Sequence, residues 1–335
     1  MRTPLMILLL LCMAFAGSAA SLPLQNSSKS QNPQGCITRE IPLLDCRFVL
    51  EARGNTRSPR CIFFVPHPNE KNGASAAGDL VKDWDSAALY VLRPSNLSDI
   101  EKAMARDKIP QNSPAGRYLY FSWKGRWYAI DPNRIYTPRG VAGELLVHES
   151  HRWMKAGERK NKEAVPAQVT RAVKSAAEKI IAALGIEKKS PSPVTIVAVH
   201  NNSPTAPGDL ESFSFLWYKA GGPCEKEVER REGSPCLHEG DPARCDNLIL
   251  VNRFEDFQYL RKDGRFNVLL MAATEEGREG DDGSLSVYCG SKGIRYVNVE
   301  AQHMNKSRVQ NEDSRIYQRS MLQLVRKMVE EGENQ

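Results

Sequence analysis

Two short runs of apolar residues constrain the fold of this chain more than any other feature. Residues 61–65 and 194–199 carry no charged side chain and are rich in β-branched and aromatic residues. Runs of five or six residues are too short for buried helices, and unbroken apolarity is typical of strands that are covered on both faces. The sequence therefore predicts a sheet that is buried within the protein.

Helical patterns alternate with these and other strand patterns. The strongest helix pattern covers residues 167–184, with Pro166 before it and Gly185 after it. Strands alternating with helices predict an α/β fold, with a mostly parallel sheet covered on both faces. The further predicted helices are 74–84, 255–260 and 314–329, and the further predicted strands are 87–92, 118–123, 126–130, 247–251, 268–272 and 294–299.

The first twenty residues have the pattern of a secretory signal peptide. Arg2 precedes an apolar stretch over residues 5–16, and small residues follow at 17–20. We predict cleavage after Ala20, a polar leader and N-terminal segment over residues 21–57, and a periplasmic or secreted protein. No later stretch reaches the eighteen apolar residues of a membrane span, so none is expected.

The charges do not favour a nucleic-acid partner. The net charge is +6, from 46 Lys and Arg against 40 Asp and Glu, and the two signs are interleaved along the chain. Such a distribution is typical of a solvated surface and not of a basic patch. We expect a monomer.

Seven cysteines remain after removal of the leader, and in an oxidising compartment most of them should pair. Cys36 and Cys46 are predicted to form a disulfide, and Cys61 is predicted to be free because it lies in a buried strand. Cys224, Cys236 and Cys245 share the polar segment 221–246. No C-x-x-C pair is present, so a cysteine zinc site is the less favoured alternative.

Two histidines and a glutamate suggest a metal site. His67 and Glu70 follow the strand predicted over residues 61–66, and His200 ends the other apolar run. In α/β sheets, ligands collect beyond the carboxyl ends of strands. Two imidazoles and one carboxylate make a catalytic Zn²⁺ site when a fourth position holds water. Taken alone, H-x-x-E also fits an exposed loop.

Four short motifs occur in an order that resembles the motif order of two related groups of proteins. These are the zinc carboxypeptidases of the carboxypeptidase A type and the deacylases of the aspartoacylase and succinylglutamate desuccinylase type. The motifs are His67-x-x-Glu70, the Asn133-Arg134 pair, His200, and Glu300 at the end of a predicted strand. The resemblance covers about residues 58–330. It implies one three-layer α/β/α catalytic domain with a mixed central sheet.

The resemblance also implies roles for these residues. His67, Glu70 and His200 would bind zinc, and Asn133 and Arg134 would hold a substrate carboxylate. Glu300 would be the general base. The implied activity is hydrolysis of an amide next to a free carboxylate, in a peptide or an N-acyl amino acid, with a peptidoglycan peptide as one option.

The sequence departs from the family pattern in two ways. Residues 221–246 look like a cysteine-rich insertion between His200 and Glu300. Two functional residues of the family are not identified in this sequence. The arginine that would stabilise an oxyanion has Arg117, Arg126 and Arg139 as candidates. The tyrosine that would close over the substrate could be Tyr218, which is in a plausible region.

Other interpretations stay open. A cell-wall N-acetylmuramoyl-L-alanine amidase would use similar residue types, although the Asn133-Arg134 pair favours the first interpretation. A catalytically inactive peptide-binding relative is the third hypothesis. The segment His148-Glu149-Ser150-His151 lacks the spacing of H-E-x-x-H, so we predict a polar surface there, and His303 could line the cleft or lie on the surface.

Overall fold

The computed structural model describes residues 36–111, 117–149, 151–156, 165–187, 194–202, 237–238, 247–271, 276–277, 280–302 and 308–332. The predicted signal peptide, residues 1–20, lies outside these ranges. So do Tyr218, His303 and the cysteines at 224, 236 and 245. Within the described residues, no helix is long and apolar enough to cross a membrane.

A nine-stranded sheet forms the centre of the fold, in the order β1-β2-β4-β3-β9-β13-β11-β12-β10. Its strands are β1 (Ile37–Leu43), β2 (Cys46–Gly54), β3 (Cys61–Val65), β4 (Ala87–Pro94), β9 (Thr195–Asn202), β10 (Leu237–His238), β11 (Leu248–Val251), β12 (Asn267–Leu270) and β13 (Arg295–Gln302).

The middle of the sheet is parallel. Strands β4, β3, β9 and β13 are neighbours that all run in the same direction, while β2 and β11 flank them antiparallel. Strands β1 and β10 run with the central four, and β2, β11 and β12 run against them. The predicted mixed, mostly parallel α/β sheet is therefore confirmed.

Helices cover both faces of the sheet. They are α1 (Lys71–Lys82), α2 (Leu97–Arg106), α3 (Pro138–Glu144), α4 (Ala167–Leu184), α5 (Phe254–Arg261), α6 (Leu285–Ser291) and α7 (Arg308–Glu331). Helices α1, α5 and α7 pack on one face, and α3, α4 and α6 pack on the other. Successive side chains of β9 point to opposite faces of the sheet. Val197 and Val199 pack with α1 and α7, whereas Ile196 and Ala198 pack with α4.

A second, four-stranded sheet packs on the α4 side. Its strands are β5 (Leu119–Trp123), β6 (Arg126–Ile130), β7 (Leu146–Glu149) and β8 (Arg152–Lys155), in that order. The β5–β6 hairpin agrees with the sequence prediction. Lys124 and Gly125 both have positive φ, 50° and 73°, as a tight two-residue hairpin turn requires.

The ends of two central strands differ from the sequence prediction. His200 and Glu300 were predicted to be the residues at which their strands end, but β9 continues to Asn202 and β13 to Gln302. The two strands pair with each other up to Asn202 and Gln302, so their mutual hydrogen bonds extend them beyond the apolar run.

The predicted disulfide between Cys36 and Cys46 is wrong, because both thiols are free. In the β1–β2 hairpin, Ile37 pairs with Ala52 at the open end and Leu43 pairs with Cys46 at the turn. At about 3.4 Å per residue, the two cysteines are about 20 Å or more apart, whereas a disulfide needs Cα atoms within about 7 Å. Cys61 is free and fully buried, as predicted.

Candidate metal centre

A tight turn between β3 and α1 places the first two site residues. After the buried strand, the amide of Glu70 donates to the carbonyl of His67 at 3.2 Å, and Ala74 N donates to Glu70 O at 3.0 Å to begin α1. Glu70 is thus the residue before the first turn of the helix, where backbone N–H groups favour a carboxylate. Both side chains are buried, at 8% and 5% exposure.

His200 reaches the same point from β9, and it is equally buried. Its Nδ1 lies 2.8 Å from Glu70 Oε1, and His67 Nδ1 lies 3.0 Å from that same oxygen. The two imidazole rings are 5.0 Å apart between centroids. The potential ligand atoms of the three residues all lie within 4.8 Å of one another, so the described chain contains a His-Glu-His group that could hold a metal ion.

Asp131 is a site residue that the sequence analysis did not assign. Its Oδ1 lies 2.9 Å from His67 Nε2 and accepts a hydrogen bond from Asn133 N at 2.8 Å. Asp131 therefore fixes the orientation of the His67 ring and also shapes the turn that presents the Asn133-Arg134 pair. The available signal was its position, directly after the buried strand β6 and two residues before Asn133.

The charges of the site favour a cation at its centre. Burial alone would lower the pKa of His67, but the carboxylates of Glu70 and Asp131 outweigh it and raise that pKa to about 10. Burial would raise the pKa of Glu70, but the two histidines lower it to about 2. Burial opposes ionisation of Asp131 too, yet His67 holds its pKa well below the usual range. Near neutral pH these pKa values leave the two buried carboxylates ionised and His67 protonated, so a metal ion bound by His67 would displace that proton.

The donor set also fits a divalent metal. Because Nε2 of His67 is hydrogen-bonded to Asp131, Nδ1 is the ring nitrogen available to a metal ion. Metal-binding histidines usually have such a carboxylate partner on the nitrogen that does not bind the metal. Glu70 Oε2 is buried and has no hydrogen-bond partner among the described residues. Imidazole nitrogens together with a carboxylate oxygen suit Zn²⁺.

Asn133 lies next to this group. Its Nδ2 is 3.4 Å from His200 Nε2, and its buried Oδ1 has no hydrogen-bond partner among the described residues. The structure therefore brings Asn133 to the His-Glu-His group, with one acceptor of its side chain unused.

Arg134 forms an ion pair with Asp282, a residue 148 positions further along the chain. Burial would lower the pKa of the arginine, but Asp282 and Asp131 raise it, so the guanidinium stays charged. Asp282 was missed in the sequence, because nothing in its neighbourhood there indicates contact with the Asn133-Arg134 turn.

Glu300 is the register partner of His200 on the adjacent parallel strand β13. Because paired residues of neighbouring strands project to the same face, the Glu300 side chain leaves the sheet on the side of His200. Asn298, two residues earlier on that face, donates its Nδ2 to Glu300 Oε1 at 3.0 Å, and its Oδ1 is buried without a partner among the described residues.

The three candidate arginines differ in placement. Arg117 lies nearest the site, with Nη2 at 3.7 Å from Asp131 Oδ2. Arg126 pairs with Glu149 at 3.7 Å, and Arg139 donates to Gly277 O at 3.5 Å.

In the segment His148-Glu149-Ser150-His151, the first two residues end β7 and His151 directly precedes β8, so these three do not belong to a helix. The His148 ring packs edge-on against Trp153 at 5.2 Å, and His151 has a positive φ of 70° where the chain turns. Neither histidine belongs to the His-Glu-His group.

No protein-family model and no curated protein matches the chain. Several solved structures are similar to it, including the following three. One is a Shewanella denitrificans OS-217 protein named for carboxypeptidase A (11% identity, TM-score 0.40, covering 89% of this chain and 65% of that one). Another is an aspartoacylase family protein from Mesorhizobium loti MAFF303099 (14%, 0.34, 80% and 60%). The third is a Burkholderia mallei ATCC 23344 protein named as a carboxypeptidase (13%, 0.37, 90% and 65%).

The chain spans 60 to 65% of the length of these structures.

Proposed function

We propose that this protein is a zinc-dependent hydrolase that cleaves an amide bond adjacent to a free carboxylate, as a metallocarboxypeptidase or an N-acyl amino acid deacylase. The observation that supports this most is the convergence of His67, Glu70 and His200, with ligand atoms within 4.8 Å of one another in a buried site. Bound there, zinc would polarise the scissile carbonyl and increase the acidity of a water molecule.

Each neighbouring residue has a role in this proposal. Asp131 orients His67 as a ligand through the hydrogen bond to Nε2. Glu300 is the general base, which takes a proton from the attacking water and delivers it to the leaving amine. The pairing of Glu300 with His200 supports this role, because paired residues of neighbouring strands project to the same face of the sheet.

Asn133 and Arg134 bind the substrate carboxylate in this proposal. A guanidinium offers a fork of N–H donors that matches a carboxylate, and the Asn133 amide adds a neutral donor. Both residues follow Asp131, so the turn whose Asp131 orients His67 also carries the proposed carboxylate anchor.

Metal analysis and turnover test the proposal together. The purified protein should contain zinc in a one-to-one ratio by mass spectrometry of metals, and His67→Ala and His200→Ala should each lose it. His148→Ala is the matched control, since this histidine lies in the β7–β8 hairpin. If the well-folded wild-type protein binds no metal, that result would contradict the proposal of a zinc enzyme and favour a catalytically inactive peptide-binding protein.

A screen of the zinc-loaded protein would identify the class of substrate that it cleaves. The compounds are ordinary peptides, N-acyl amino acids and peptidoglycan stem peptides. Release of a terminal residue or of an acyl group with a free carboxylate beside the scissile amide is expected. Cleavage only between the sugar and the first alanine of a muropeptide would instead favour the cell-wall amidase.

We also propose that the chain is exported and acts as a monomer. Support for export comes from the leader pattern of residues 1–20. Sequencing the N-terminus of the protein from a cell fractionation should find Ser21 first, and a cytoplasmic protein that retains Met1 would contradict export.

We propose residues 58–330 as the catalytic domain, with segment 221–246 as an insertion. The β1–β2 hairpin, within residues 37–54, would complete its sheet by pairing with β4. Deletion of residues 21–35 should leave folding and activity unchanged, whereas deletion through residue 57 should impair both.

A further inference from the structure

The proposed carboxylate anchor already carries a carboxylate from the chain itself. Arg134 pairs with Asp282, and the side chains of the two residues are 33% and 45% exposed. Both are therefore accessible to a ligand that enters the site. A substrate carboxylate that approaches Arg134 must also approach Asp282.

The turn that carries Asp282 is held firmly against the Arg134 segment. Asp281 is buried and its Oδ1 accepts from Thr137 Oγ1 at 2.8 Å and from Gly283 N at 2.9 Å, while its Oδ2 accepts from Gly277 N at 2.7 Å. Tyr136 N donates to Gly283 O at 2.9 Å. The bonds from Tyr136 and Thr137 tie the turn to the two residues directly before α3.

Backbone packing fixes the same turn. A Cβ on Gly283 would lie 2.3 Å from Gly140 Cα and 2.4 Å from Arg134 O, so the two segments touch directly. Ser284 N donates to Asp282 Oδ1 at 3.0 Å, which orients the carboxylate. Asp282 is thus built into the site as a permanent neighbour of Arg134.

A fixed Arg-Asp pair recognises a different ligand from that recognised by a lone arginine. A ligand that offers only a carboxylate is attracted by the guanidinium and repelled by Asp282. A ligand that also offers a cationic group can bind Arg134 with its carboxylate and Asp282 with its cation, and each contact is a charge-assisted hydrogen bond.

We propose that Asp282 is a specificity-determining residue, and that the site selects substrates whose terminal residue carries an ammonium or guanidinium group close to its free carboxylate. This inference rests on the proposed function and deepens it by naming the substrate class. Asp282 Oδ2 contacts the cationic group while Arg134 holds the carboxylate.

Matched substrates test the inference in the zinc-loaded wild type. N-acyl dipeptides that end in ornithine or lysine are compared with the same compounds that end in norvaline or norleucine, which have similar length without the charge. We expect kcat/KM to favour the cationic member of at least one pair by about tenfold to a hundredfold, the range of a hydrogen bond between charged groups. Equal rates, or a preference for the neutral member in both pairs, overturn the inference without affecting the proposed function.

Substitutions then assign the preference to Asp282. Asp282→Asn keeps an acceptor for Ser284 N, and it should remove the preference by lowering kcat/KM for the cationic substrate, while kcat/KM for the neutral substrate stays constant or rises because the repulsion by Asp282 is lost. Glu276→Gln, which alters a carboxylate that pairs with Lys292 at 3.5 Å, is the control that should keep it. An equal loss for both substrates in Asp282→Asn would mean that Asp282 only supports Arg134, and that result contradicts the inference.

A binding measurement separates failure of this inference from failure of the proposed function. Calorimetry with the Glu300→Gln variant compares Nα-acetyl-ornithine with Nα-acetyl-norvaline, and it needs no turnover. Tighter binding of the ornithine compound, lost when Asp282→Asn is added, supports the inference even if no amide is hydrolysed. Equal binding of the two compounds overturns it.

Discussion

Glu300 and His200 lie side by side in the pairing of β13 with β9. The residues are a hundred positions apart in the chain, but the parallel register makes them neighbours, and both side chains project towards the α4 layer. A proposed metal ligand and a proposed general base are therefore held at a distance set by the spacing of two strands, about 4.8 Å between backbones.

Glu300→Gln should separate metal binding from turnover. The amide keeps the size of the carboxylate and can still accept from Asn298 Nδ2, but it cannot take a proton from water. We expect full zinc content and a fall in kcat of about a hundredfold to ten-thousandfold. Metal analysis and steady-state kinetics measure the two quantities, and a fully active variant would show that another group is the base.

Asn298→Leu should impair catalysis more than binding. The substitution removes the donor to Glu300 Oε1 and replaces an amide with an apolar group of similar size. We expect kcat to fall by about tenfold, the contribution of one hydrogen bond to a charged group, with little change in KM or zinc content. If KM rises and kcat is constant, Asn298 contacts the substrate and does not position Glu300.

Asp131→Asn should weaken metal binding. His67 would keep a neutral hydrogen-bond partner but lose the carboxylate that fixes its orientation. We expect the zinc affinity to fall by about tenfold to a hundredfold, measured by competition with a chelator. Asp79→Asn is the control, because Asp79 pairs with Arg315 on the protein surface and should leave the affinity unchanged.

Gly283→Ala should destabilise the turn that carries Asp282. The new Cβ would collide with the backbone of Gly140 and Arg134, and Gly283 also has a φ of +78°. We expect a loss of about 2 kcal/mol or more in the free energy of unfolding by urea.

Gly264→Ala is its matched control. Gly264 has a similar φ of +71°, but nothing lies within 4 Å of the added Cβ. It should cost only about 1 kcal/mol, for its left-handed backbone. Equal losses in the two variants would show that the contact with Gly140 is unimportant.

Cys61 and Cys289 should resist alkylation in the folded protein. Burial raises the pKa of both thiols well above the usual range, so the thiolate fraction at pH 8 is negligible. Because the reactive form is the anion, a raised pKa means slower reaction. Mass spectrometry after iodoacetamide treatment should find the partly exposed Cys36 labelled and these two unlabelled until urea is added.

The buried elements could be predicted well from the sequence. Strand β3 matches the apolar run at residues 61–65, and α4 matches the predicted helix at both ends, because Pro166 starts it and Gly185 adopts the left-handed conformation that ends it. In both cases the signal is local, since it depends on the burial or the backbone conformation of a few adjacent residues.

Elements at the edge of the sheet were harder to predict. Strand β1 exposes most of its side chains, so its composition resembles that of a polar segment, and its strand form depends on pairing with β2. Asp131 and Asp282 were missed for a related reason. Their partners His67 and Arg134 are 64 and 148 residues away, and no local pattern encodes such contacts.

The position of β13 in the sheet has a consequence for how this protein must be made. Among the described residues this strand is the last in sequence, yet it lies between β9 and β11, near the middle of the sheet. Until residues 295–302 have been synthesised, β9 and β11 each lack a neighbour. Folding of the sheet therefore cannot be completed in the order of synthesis, and the pairing of β9 with β13 must wait until the chain has been made through residue 302.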